Sequence, residues 1–152
     1  MSVAYEGAEV VVLADVAAWL ASSAAFRAAV GAVDATAARA LIIEVDGPDP
    51  GAVPHAVLDF PVLSTQRTPG GAHAGTAAVA VELILATTPG DTAAEIYRRA
   101  GNVIAAIRRE LLDAADGRIL ATASDPPTIL DASDSLPSMI SWGLSLSIEA
   151  QP

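Results

Sequence analysis

Cysteine is absent from the 152 residues. That excludes disulfides, thiolate zinc sites and thiol chemistry. Lysine is absent too, so the eight basic residues are all arginine; they stand against eighteen acids, and the formal net charge is −10. A chain this acidic lacks the cations that displace counterions from phosphates, which argues against a general nucleic-acid binder. It gains nothing from an anionic membrane surface either. An arginine-only basic set has two explanations, GC-rich coding or a preference for bidentate contacts at subunit interfaces. Aromatics make up only 4% of the chain, so its core has few large anchors. Apolar runs are interrupted by Asp15 and Glu82 before they reach membrane-spanning length. The first nine residues carry Glu6 and Glu9 and no basic residue, unlike a signal peptide. A soluble cytoplasmic protein is the expectation.

What is present is alanine and other apolar residues, 53% of the chain. The length fits one domain, 1–152. A chain of this size buries roughly 70% of its unfolded surface, enough for a proper core. An apolar excess in a small acidic domain hints at surface covered by partners, although alanine-rich helices raise the same number alone.

Over 9–30, Val12, Val16, Trp19, Leu20, Phe26 and Val30 recur near helical spacing; Ser22-Ser23 either bends this helix or splits it in two, Val10 to Leu13 reads alternatively as a short strand, and Gly31 is the stop. A strand is expected at 40–45 and a second at 56–63, where Pro61 calls for an edge or a bulge. Residues 65–75 read as a long glycine-rich hairpin tip, and 76–87 as a strong strand. The best helix follows at 91–116. Thr92 and Glu95 form a capping box, and Ile96, Ala100, Val103, Ile104, Ile107 and Leu111 share one face. Glu95–Arg99 and Arg109–Asp113 have the spacing of helical ion pairs. Residues 117–123 read as a short strand, 125–138 as a turn-rich loop, and 139–149 as an alternating final strand. The expected fold is α+β: a mostly antiparallel sheet of about four to five strands against two helices, in the order α-β-β-β-α-β-β.

Chemical motifs are sparse. His55 and His73 stand alone, without a second ligand at helical spacing. The stretch from Gly70 to Thr76 spaces like a phosphate loop, but it lacks the lysine and leads into a strand. Asp125, Asp131 and Asp134 lack calcium-loop spacing. On the long helix lie Arg98, Arg99, Arg108 and Arg109; Arg98 and Arg109 return to nearly one face after about three turns. These four are the candidate subunit-interface residues, either a solvated face or a stripe meeting an acidic patch on a neighbour.

Taken together, several segments resemble one family. They are the helix from Val16 through Trp19 and Phe26 to Gly31, the strand Pro54-His-Ala-Val-Leu-Asp-Phe-Pro61, the helix start Asp91-Thr-Ala-Ala-Glu-Ile-Tyr, and the closing Trp142-Gly-Leu-Ser-Leu-Ser-Ile-Glu149. Their order resembles the tail terminator and tail-completion proteins of long-tailed phages and prophages. The resemblance implies a structural virion subunit that is not an enzyme and carries no cofactor or metal. It implies a homo-oligomeric ring, usually a hexamer, that caps the tail tube, ends its polymerisation and presents a head–tail joining surface. The implied partners are the tail tube protein and a head–tail connector, with DNA only passing through the lumen and no membrane. The implied place is the cytoplasm during assembly and then the virion tail. Gln66, Arg67, Gly70, Gly71 and His73, at the expected hairpin tip, are the candidate tube contacts. Other readings are a connector, neck or baseplate subunit, a small hydrolase using His55 or His73 with Asp125 or Asp131, and a monomeric ligand-binding module.

Overall fold

A computed structural model describes residues 7–44, 53–67, 69–70, 73–130 and 138–150. The first helix, α1 (Ala8–Ser22), breaks at Ser23 and resumes as α2 (Ala24–Val30) after a bend of 77°. Ser23 is extended, and its hydroxyl accepts from the Phe26 amide, so the break is also an N-cap. Gly31, at φ 72°, ends α2 in the left-handed region that glycine enters without strain. A third helix, α3 (Ala35–Arg39), was not expected from the sequence; Asp34 caps it by accepting from the Ala37 amide at 2.8 Å. Together with α4 (Ala93–Ala115), these are four helices among the described residues, where the sequence suggested two.

The strands are β1 (Ile42–Glu44), β2 (His55–Leu58), β3 (Val62–Arg67), β4 (His73–Ala86), β5 (Ile119–Ser124), β6 (Thr128–Leu130) and β7 (Met139–Ala150). They form one mixed sheet in the order β1-β2-β4-β7-β5, with β3 on β4 and β6 on β7. Among the described residues, only β1 with β2 is parallel. The α+β class and the antiparallel majority match the expectation.

The spine of the sheet is β4 against β7, in register without a slip from Gly75↔Ala150 to Ala86↔Met139. Each spine strand has a broken strand on its outer side. Along β4, Leu58 pairs with Val81 and Val62 with Ala78, so the outer strand holds one extra residue, a bulge. Pro61, which cannot donate to a ladder, sits in that bulge, and the Asp59 amide keeps hold of Ala80 O at 3.0 Å. The expected strand at 56–63 is therefore two. Along β7, β5 shifts register between Ile119 and Ala121, and Pro126-Pro127 separates it from β6. Residues 128–130, read as loop, are strand because Ile129 pairs with Ile140.

The alternation in the two spine strands does what it predicted. Val79, Val81, Leu83 and Leu85 are buried, as are Ile140, Leu144, Leu146 and Ile148. Against them pack Val16, Leu20 and Phe26 from the first two helices and Ile104, Ile107 and Leu111 from α4. Each such aliphatic or aromatic side chain contributes about 1.5–3 kcal/mol when fully buried. Alanines 17, 38, 56 and 77 fill the space between them. All helices that reach the sheet lie on this side. The other side is left open and small: Ala78, Ala80, Ser145 and Ser147. No single helix among the described residues is long and apolar enough to cross a membrane; α1 and α2 reach the length only together, across the 77° bend.

Candidate functional site

The long helix is set by its first turn. Thr92 Oγ1 accepts from the Glu95 amide at 3.3 Å and donates to Glu95 Oε1 at 3.2 Å. The buried stripe Ala100, Ile104, Ile107, Leu111 and Ala115 then fixes which face looks out. The four arginines on α4 do not act as one stripe. Arg99 Nε lies 3.1 Å from Asp91 Oδ2, and Arg108 Nη1 donates to Ser124 Oγ on β5 at 3.3 Å. Arg98 and Arg109 have neither an ion pair nor a hydrogen bond among the described residues. The Glu95–Arg99 and Arg109–Asp113 pairs expected from spacing are not formed; Asp91, just before the N-cap, captures Arg99. Exposed pairs of this kind are worth about 0–1 kcal/mol, too little to hold Arg99 against a better-placed acid.

The opposite charge gathers on the open side of the sheet. Asp59, Glu82 and Asp125 line one shallow depression there. Asp59 and Asp125 come from the two strand breaks, and Glu82 from the spine between them. Ser141 Oγ donates to Glu82 Oε1 at 2.6 Å. Asp125 folds over Gly143: a Cβ on residue 143 would lie 2.7 Å from Asp125 Oδ2 and 3.2 Å from Asp125 Cβ. No cation pairs with these three acids among the described residues. Arginines 27, 39, 98, 99, 108 and 109 belong to helices; Arg118 pairs with Asp15 of α1 at 2.7 Å, and Arg67 falls in the register row of the buried face.

The expected hairpin tip is shorter than the sequence suggested. Gln66 and Arg67 lie on β3 and His73 on β4, paired as Gln66↔Ala74 and Arg67↔His73. Thr65, β-branched, suits an exposed strand, and the pairing runs on from Thr65↔Gly75 to Arg67↔His73. Gly70 sits in the turn, while Gly71 lies outside the described residues. The arm runs past the end of β7, whose last pair is Ala150 with Gly75.

His55 is 6% exposed, with Nδ1 2.7 Å from Val53 O. It opens β2 as a packed, hydrogen-bonded imidazole. Asp131 and Asp134 lie outside the described residues. Among the described residues, no three His, Asp or Glu side chains converge as a metal site.

One junction escaped the sequence. Glu110 of α4 accepts from the Ser23 hydroxyl and from the Ala25 amide at 3.0 Å, so it caps α2 from another helix. The Ser23 hydrogen bond, then the Ala25 amide, hold the Glu110 carboxyl below its ordinary value of 4.5; burial works against them, and Arg109 and Arg27 assist. The only hint was an acid beside the apolar stripe of a helix, which periodicity alone places at the boundary.

No family model matches the chain. No curated protein matches it in sequence. Among solved structures, it is similar to a chain of the structure described as "Virion of native gene transfer agent (GTA) particle", with 13% identity, 90% of this chain and 92% of that chain covered, and a TM-score of 0.46.

Proposed function

We propose that this chain is a non-enzymatic structural subunit of a phage-type tail, and that copies of it close into a ring that ends the tail tube. One observation carries the reading. A single subunit bears two different charged surfaces that no ion pair among the described residues compensates: Arg98 and Arg109 on α4, and Asp59, Glu82 and Asp125 on the open side of the sheet. A ring built head to tail needs two unlike, complementary patches on one chain, and these fit that need. The order of elements resembles the tail terminator family, which supports the same reading. In it, Arg99 and Arg108 are tied to their own subunit and steady the helix. The β3–β4 arm, with Gln66, Arg67, Gly70, Gly71 and His73, meets the tail tube protein, and the opposite rim meets a head–tail connector. DNA passes along an acidic wall that does not hold phosphates. The subunit assembles in the cytoplasm and ends in the virion tail.

Size-exclusion chromatography with light scattering tests this, with and without purified tail tube protein. A closed oligomer is expected, shifted toward monomer by raised salt and by Arg98→Glu with Arg109→Glu. A protein that stays monomeric at every concentration, alone and with the tube protein, refutes the ring.

A further inference from the structure

Two buried polar side-chain atoms among the described residues lack a hydrogen bond, Asp91 Oδ2 and Trp142 Nε1. Asp91 lines a cavity. That cavity, about 120 Å³, lies between the first turns of α4, the end of β4 and α2. Its floor is apolar, with Leu85, Ile96, Val103 and Ile140; its rim carries Thr88, Asp91 and Arg99. The Asp91 side chain is 8% exposed. Arg99 Nε is 3.1 Å from Oδ2, but the N–H is out of line with it, so the contact is an ion pair without a hydrogen bond. Arg99 is 59% exposed, and its Nη1 donates to Thr88 Oγ1 at 3.5 Å.

From this geometry we infer that the cavity is a binding site for a tyrosine side chain presented by a partner protein. Size comes first. A closed cavity of roughly 150 Å³ lined by aliphatic side chains takes up benzene; this one, at about 120 Å³, is somewhat smaller but open at its polar rim, so it seats one six-membered ring whose edge lies at the mouth. Charge comes second. Asp91 and Arg99 together are close to neutral, so a cationic ligand meets Arg99 and an anionic one meets Asp91. A neutral hydroxyl satisfies both conditions: it donates to the open lone pair of Oδ2 and leaves the ion pair in place. Tyrosine combines that hydroxyl with a ring for Leu85, Val103 and Ile140, and it is among the residues most used as interface anchors. A site built around a buried acceptor discriminates against a ring without the donor, here by about tenfold.

The test uses the whole chain, NMR amide shifts and two side-chain analogues, p-cresol and toluene. Expected is p-cresol binding that moves amides at 85–88 and 96–103, about tenfold tighter than toluene. Asp91→Ala is expected to erase that preference while toluene still binds. Val103→Phe, which fills the cavity, is expected to abolish both without lowering the melting temperature. N-acetyltyrosinamide is expected to compete with p-cresol, and N-acetylphenylalaninamide to do so about tenfold more weakly. Equal affinity for p-cresol and toluene in the unaltered protein overturns the role of Asp91. Failure of p-cresol to bind overturns the site. Binding of p-cresol without N-acetyltyrosinamide overturns the partner's side chain as occupant. None of these outcomes depends on ring formation, so either reading can fail alone.

Discussion

Glu110 offers the sharpest test of how the helices are joined. Its carboxylate accepts from Ser23 Oγ and from the Ala25 amide, and Ser23 in turn accepts from Phe26. Replacing Glu110 with alanine strips two donors at the start of α2. Hydrogen bonds to a charged group are worth about 1.5–3 kcal/mol each in protected settings. Glu110 is only half-buried, and solvent replaces part of that, so the expected cost is about 1–3 kcal/mol. For a chain of this size that is a fall of about 3–10 °C in melting temperature. Urea unfolding of the wild type, Glu110→Ala, Ser23→Ala and the double variant gives a thermodynamic cycle, with a coupling of about 1 kcal/mol expected. The pH dependence has a definite sign. The folded-state pKa lies below 4.5, so the stabilisation is full above the unfolded value and fades as pH falls through the folded one. The penalty of Glu110→Ala should therefore be present at pH 7 and shrink below about pH 4. A penalty that is the same at pH 7 and pH 3, or a variant within about 0.3 kcal/mol of wild type, would refute the inter-helix cap.

Two further outcomes follow from the backbone. Gly143→Ala puts a Cβ against the Asp125 side chain at 2.7–3.3 Å, so both residues must shift; a loss of about 1–2 kcal/mol by thermal unfolding is expected, and no loss would mean that Asp125 swings away freely. Asp116, the C-cap of α4, holds φ 49°; Asp116→Gly is expected to raise stability by up to about 1 kcal/mol, and Asp116→Val to lower it by a similar amount, read from urea midpoints.

The most legible parts of the fold were those where one physical signal dominates. The Thr92–Glu95 box gave the start of α4 within a residue, and the serine-glycine alternation of the last strand gave β7 almost to its ends. The bend at Ser23 was visible as a polar pair in an apolar run. What was hidden depended on tertiary partners. Residues 128–130 have no alternation of their own, and only β7 makes them a strand. α3 is five residues long, too short for a periodic pattern, though the Asp34 cap was in plain sight. Among the candidate contacts, the four arginines were found by position, but their division into Arg98 and Arg109 against Arg99 and Arg108 depends on Asp91 and Ser124, neither of which spacing selects. The acidic depression draws Asp59, Glu82 and Asp125 from three strands, and no local pattern links them.

The interruptions on both sides of the β4–β7 spine bear on what the sheet can recruit. A sheet border is a template for another strand, and long unbroken borders invite fibres. Here β1 offers three residues, β3 and β5 six each, and β6 three, with a proline-bearing break between the outer segments. None of these borders among the described residues exceeds six residues. A subunit whose proposed task is to halt a growing polymer would defeat itself by becoming one, and short borders kinked by bulge and proline work against that.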